Sequence, residues 1–218
     1  MINWRSRLVT SLAQGDAPPV LTRDLLSRFA TTAKDGQVVP ESTLTRWIQD
    51  AVQSGQLQPV HRGLYLNRFG TNPGALADAV PFFHKDAVVS LNTVLGDAGV
   101  LNNPSHTVTA VVPIDAGFPS PKLGRQRSRA GTLHFYGLPR RVLGSGALSD
   151  RLEPSDRFAH PRATSEKALL DWLYLAKSVR SHRTLPAASD IDRSLLNERR
   201  LLRLAKAAQL TDTLKQWW

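Results

Sequence analysis

Cysteine is absent from the 218 residues. Disulfides and thiolate metal sites are thereby excluded, and a reducing cytoplasm is the expected compartment. No stretch approaches the ~20 apolar residues that span a bilayer, so no membrane partner is expected. The opening segment MINWRSRLVTSLAQG also lacks the apolar core and small-residue cleavage site of a signal peptide. The six histidines are scattered, with no pair at helical metal-ligand spacing, so no metal site is expected. No Walker-type glycine loop, G-x-S-x-G elbow or kinase-type signature occurs. Gly144-Ser145-Gly146 reads as a turn. These gaps predict neither a cofactor nor an enzyme.

Acidic residues are in short supply, 18 Asp and Glu against 28 Lys and Arg, for a net charge of +10. That excess favours polyanionic partners. A hydrophobic fraction of 41% is enough for a packed core.

Residues 40–67, PESTLTRWIQDAVQSGQLQPVHRGLYLN, read as one helix followed by a tight hairpin. Leu44, Trp47, Ile48 and Ala51 recur at helical spacing and define an apolar stripe. Ser42, Arg46, Gln49 and Gln53 fall opposite. Ser54-Gly55 stops the helix. Residues 57–60 and 64–67 are strand candidates joined by His61-Arg62-Gly63. With helices expected over 2–14 and from Thr22 onward, the outline is a winged helix-turn-helix. Arg46 and Gln49 are the candidates for base edges, because arginine can pair with guanine and glutamine with adenine. Ser42, Thr43 and Thr45 are placed to reach phosphates from the helix N-terminus. His61 and Arg62 would meet the DNA backbone or minor groove from the wing.

The turn-rich segment 68–74 marks a boundary. It separates a domain over 1–70 from a second over 71–218. The expectation is an α+β protein: an N-terminal winged helix-turn-helix plus a C-terminal mixed domain with a small sheet covered by helices. In the second part, helices are expected over 74–80, 86–98, 161–176 and 190–209, strands over 107–112 and 132–136, and a short apolar tail over 211–218. Arg125, Arg127 and Arg129 alternate, which on an extended segment places them on one face. With Lys122, Arg140 and Arg141 they form the densest basic cluster, a candidate patch for phosphate or an acidic protein. Arg199, Arg203 and Lys206 share a face of the last helix, where their mutual repulsion would be relieved by a bound polyanion. Glu166, Lys167 and Asp171 invite comparison with a nuclease-like carboxylate–lysine set but lack its strand setting and second carboxylate.

Several segments in order resemble the AbiEi family of antitoxins from type IV (abortive infection) toxin–antitoxin systems. They are RGLYLN at 62–67, VVSLNTVLGDAGVL at 88–101, the TVTAVVP strand, LHFYGLPRRVLGSG at 133–146 and ATSEKALLDWLYLA at 163–176. The resemblance covers most of residues 40–180. It implies a winged-helix domain that binds the operon's own promoter, and a second domain that neutralises a nucleotidyltransferase-like AbiEii toxin without a stable complex. Inverted repeats in the promoter would then match two copies of the chain. Two other readings stay open: an interaction protein that grips the toxin or its RNA substrate directly, and an enzyme that modifies the toxin.

Overall fold

The computed structural model describes residues 3–103, 105–115, 121–179, 181 and 183–218. It is a mixed α+β structure with two small sheets, divided into two compact units. The first comprises residues 1–79 and 128–131, the second residues 80–127 and 132–218.

In the first unit the order is α1 (Trp4–Ala13), β1 (Val20–Thr22), α2 (Arg23–Ala33), α3 (Glu41–Gln53), β2 (Leu57–His61) and β3 (Leu64–Asn67). Asn3 caps α1 by accepting from the Arg5 N–H, and Thr22 caps α2 by accepting from the Leu25 N–H. β3 lies between β1 and β2, antiparallel to both. Leu8, Leu12, Leu21, Leu26, Leu44, Trp47 and Leu57 fill the core. Each such burial is worth about 1.5–3 kcal/mol before entropy is counted. Trp47 stacks on Phe69 with centroids 5.9 Å apart. The buried Asn67 amide donates to the carbonyls of Leu12 and Pro18, tying the end of β3 to the exit of α1. Gly74 is obligatory: a Cβ there would stand 2.0 Å from the Pro19 carbonyl oxygen.

Strand β1 escapes sequence reading. Three residues carry no periodicity, and only pairing with β3, more than forty residues on, makes them a strand. The helix expected over 2–14 is α1, apart from Ile2, which lies outside the described residues.

The second unit contains α4 (Val80–Phe83), β4 (Val88–Val89), α5 (Asn92–Asp97), β5 (Val108–Ile114), β6 (Gly124–Ser128), β7 (Gly131–Pro139), α6 (Arg140–Leu143), α7 (Leu148–Arg151), α8 (Ser165–Lys177), α9 (Glu198–Ala207) and α10 (Thr211–Trp217). The sheet order is β4-β5-β7-β6, with β5 antiparallel to β4 and parallel to β7. Pro113 sits inside β5 without penalty to pairing with β4, which reaches only Ala110 and Val111. Helix α8 is buried around most of its circumference, Glu166, Lys167 and Asp171 included. Thr164 caps it, accepting from the Lys167 N–H.

Several elements differ from expectation. The helix expected over 86–98 opens instead as β4, because Val88 and Val89 pair with Val111 and Ala110. The segment 74–80 is a 3-10 turn, Leu76–Ala79, rather than an α-helix. The long helix expected over 190–209 is broken. Ile191 bridges Leu101, short 3-10 turns occupy Ala188–Asp190 and Arg193–Leu195, and Asn197 caps α9 by accepting from the Arg200 N–H. The apolar tail is the helix α10, whose Thr213 and Leu214 are buried. The loop at 116–120 lies outside the described residues.

Candidate nucleic-acid interface

Helix α3 carries Leu44, Trp47, Ile48 and Ala51 into the core and leaves Ser42, Arg46, Gln49, Asp50 and Gln53 exposed. Among the described residues the exposed side chains of Ser42, Arg46 and Gln49 have no hydrogen-bond or ion-pair partner, so the described fold does not consume their donors. Pro40 occupies the N-cap position and offers no side-chain acceptor to the first-turn amides. Thr43 is half-buried.

Thr45 corrects the sequence reading. Its hydroxyl donates to the Glu41 carbonyl at 2.7 Å and accepts from Arg23 Nη2 at 2.6 Å, so it serves the fold rather than a phosphate. The same Arg23 nitrogen meets the Glu41 carboxylate at 2.8 Å. The Arg23 backbone N–H donates to the Gly63 carbonyl at 2.9 Å. One residue thus ties the start of α2 to the first turn of α3 and to the hairpin turn. Sequence reasoning missed Arg23, since its partners lie 18 to 40 positions away and leave no local pattern.

The α2–α3 connection is fixed from α1. Arg7 makes a bidentate pair with Asp35 at 2.7 and 2.9 Å, and this hydrogen-bonded guanidinium holds the Asp35 carboxyl below its ordinary value. Asp35 and Gly36 both take positive φ, which turns the chain between the helices.

The hairpin of β2 and β3 turns through Arg62 and Gly63. Gly63 has φ 75°, the backbone conformation that a glycine supplies at the third position of such a turn. His61 and Arg62 are exposed at the tip. A register shift between Pro59 and His61 marks a bulge just before it.

Two of the candidate cations of the second unit, Arg140 and Arg203, are engaged by carboxylates. Arg140 Nε bonds Asp115 at 2.5 Å, with Asp86 at 3.9 Å, which raises its already high pKa. Arg203 donates to both oxygens of Asp150 at 2.8 and 2.9 Å and holds that carboxyl below its usual range. The repulsion anticipated on the last helix is therefore met within the fold, and α9 needs no polyanion to relieve it. Arg125 and Arg127 lie exposed on β6, whereas Arg129 lies past the strand in the turn assigned to the first unit. The three arginines therefore do not share one strand face. Lys122, Arg141 and Arg199 are exposed, and the Lys122 carbonyl accepts from His84 Nε2 at 2.9 Å.

Glu166, Lys167 and Asp171 do not form a solvent-facing catalytic set. Glu166 accepts from the Asn197 N–H at 2.7 Å and from Arg200 at 3.3 Å. Lys167 pairs with Asp171, which also accepts from the Ser90 hydroxyl at 2.8 Å. Burial pushes the Asp171 carboxyl up, against the pull of Lys167. His134 is held below the ordinary imidazole value by burial and then by Arg125 and Arg183. Among the described residues no three His, Cys, Asp or Glu cluster as a metal site, and no helix is long and apolar enough to cross a membrane.

No protein-family model matches this chain, and no curated protein matches it. Among solved structures it is similar to the RV2827C protein from Mycobacterium tuberculosis, with a TM-score of 0.56 and 17% sequence identity. The likeness covers 98% of this chain and 78% of that one, and at such identity it is a likeness of fold alone.

Proposed function

We propose that the first unit is a winged helix-turn-helix and that the protein is a DNA-binding transcriptional repressor of its own operon. The observation that carries this reading is the outer face of α3. Ser42, Arg46 and Gln49 stand exposed, and unpaired among the described residues, directly opposite a buried stripe, on the helix that precedes a β-hairpin with an arginine at its tip. Side chains that a fold does not use are free to read base edges. Asp50, on the same face, offers an acceptor for the cytosine amino group. Glu41 opposes phosphate approach at the helix start, and Arg23 offsets its charge.

The ordered resemblance to AbiEi proteins extends the proposal. The chain acts as the antitoxin of a type IV pair, neutralising an AbiEii-like nucleotidyltransferase toxin and performing no chemistry itself. The neutralising surface lies in the second unit, where Lys122, Arg125, Arg127 and Arg141 remain exposed.

A mobility-shift titration with the operon's promoter fragment tests the repressor reading. Preference over random DNA at moderate salt is expected, with a steep fall in affinity as salt rises. Equal binding to both fragments contradicts it. A second reading, direct grip on the toxin or its RNA substrate by Arg125 and Arg127, predicts co-purification with the product of the neighbouring gene.

A further inference from the structure

A cleft of about 400 Å³ in the second unit opens onto the buried pair on α8. Lys167 and Asp171 form its floor, Arg151 of α7 lines its side, and Lys85 and Arg140 stand at its edge. Lys167 is 4% exposed and Asp171 1%. An ammonium carries three donors. Among the described residues Lys167 Nζ has one acceptor, Asp171 Oδ1. The other oxygen of Asp171 is taken by the Ser90 hydroxyl.

Arg151 repeats the pattern. Its Nη1 donates to the Leu143 carbonyl at 2.8 Å, while its Nε is buried with no acceptor. Lys85 is exposed and has no ion-pair partner among the described residues. The carboxylates lining the cleft, Asp86 and Asp171, face cations already: Arg140 at 3.9 Å and Lys167. Arg140 is engaged by Asp115 from outside this lining, which leaves Lys85, Arg151 and Lys167 against Asp86 and Asp171; among the described residues Arg151 Nε has no acceptor, and Lys167 Nζ has one for its three donors. Buried donors and charge left in this state are costly, and an anion would satisfy both at once.

We propose that this cleft binds a phosphate group presented by a small molecule. A tetrahedral dianion offers enough acceptors for the spare donors of Lys167 and Arg151, and a charge that complements the basic lining. A carboxylate offers fewer of each. Phosphates of a nucleic-acid duplex do not qualify, because a lysine 4% exposed is met only by a group that enters the cleft. The proposal does not depend on DNA recognition by α3.

Titration of the full chain with inorganic phosphate, followed by ³¹P line broadening and by thermal denaturation, tests it. Phosphate should broaden and raise Tm, and chloride at matched ionic strength should not raise it. Lys85→Gln, an exposed change, should weaken phosphate severalfold, and Arg151→Gln at least tenfold with the unliganded fold intact by circular dichroism. Arg46→Ala on α3 should leave phosphate binding unchanged. Phenyl phosphate competes if an ester is the occupant and fails to compete if free phosphate is; both results uphold the site and name its source. Equal stabilisation by chloride overturns the proposal, as does unaltered phosphate affinity in both Lys85→Gln and Arg151→Gln.

Discussion

The two units use their cations differently. The first holds nine Lys and Arg against six Asp and Glu, the second nineteen against twelve, so most of the basic excess lies in the second. Yet in the second unit Arg140, Arg162, Arg200 and Arg203 are paired with carboxylates. In the first unit the ion pairs Arg7–Asp35 and Arg23–Glu41 brace the helices, while Arg46 and Arg62, on α3 and the hairpin, have no ion-pair partner among the described residues. On the proposed reading of α3, charge density along a sequence does not by itself locate a binding face, which is marked instead by exposed polar groups that the fold leaves unused.

The largest expected effects come from groups the fold does use. Lys167→Met leaves the Asp171 carboxylate buried without its cation and should cost about 3–5 kcal/mol by denaturant unfolding. Lys167→Met combined with Asp171→Leu should recover much of that loss. A double variant as unstable as the single one breaks the claim that the pair is coupled. Trp47→Ala should cost about 3–5 kcal/mol, because it removes a core ring and its stack on Phe69.

Next come the unused groups. Arg46→Ala and Gln49→Ala should each lower affinity for the promoter by about 1–3 kcal/mol. Each should change stability by less than about 0.5 kcal/mol. A large stability loss from either would return α3 to an ordinary structural role. Glu41→Gln should tighten DNA binding slightly, by about 0.3–1 kcal/mol, since it removes a carboxylate from the helix start where phosphate approaches.

The smallest effect concerns Asp150. Its carboxyl is held low by Arg203, so its stabilisation is present above the unfolded value near ~3.9 and is lost as pH falls through the folded value. The stability difference between wild type and Arg203→Gln should therefore shrink between pH 6 and pH 3. A difference as large at pH 3 as at pH 6 would mean that packing, not charge, is what Arg203 contributes.

Sequence alone made α3 and its hairpin legible, because an amphipathic stripe and Gly63 are local signals. The partners that define the site's geometry are not local. Arg23 meets Glu41 across 18 residues and Arg203 meets Asp150 across 53, so neither pairing leaves a trace in nearby sequence. Lys167 and Asp171 are visible as an i, i+4 pair. Their burial follows from the packing of α8, which its own sequence pattern does not specify. β4 shows the same limit: two valines inside a helical pattern became strand because β5 was there to pair with them.

The most direct test compares wild type with the Arg46→Ala/Gln49→Ala double variant by fluorescence anisotropy, on labelled promoter and scrambled DNA at one fixed salt. Wild type should prefer the promoter, and the variant should bind both fragments with the same weak affinity while retaining the wild-type melting temperature. An undiminished promoter preference in the double variant would contradict the assignment of α3 as the reading helix.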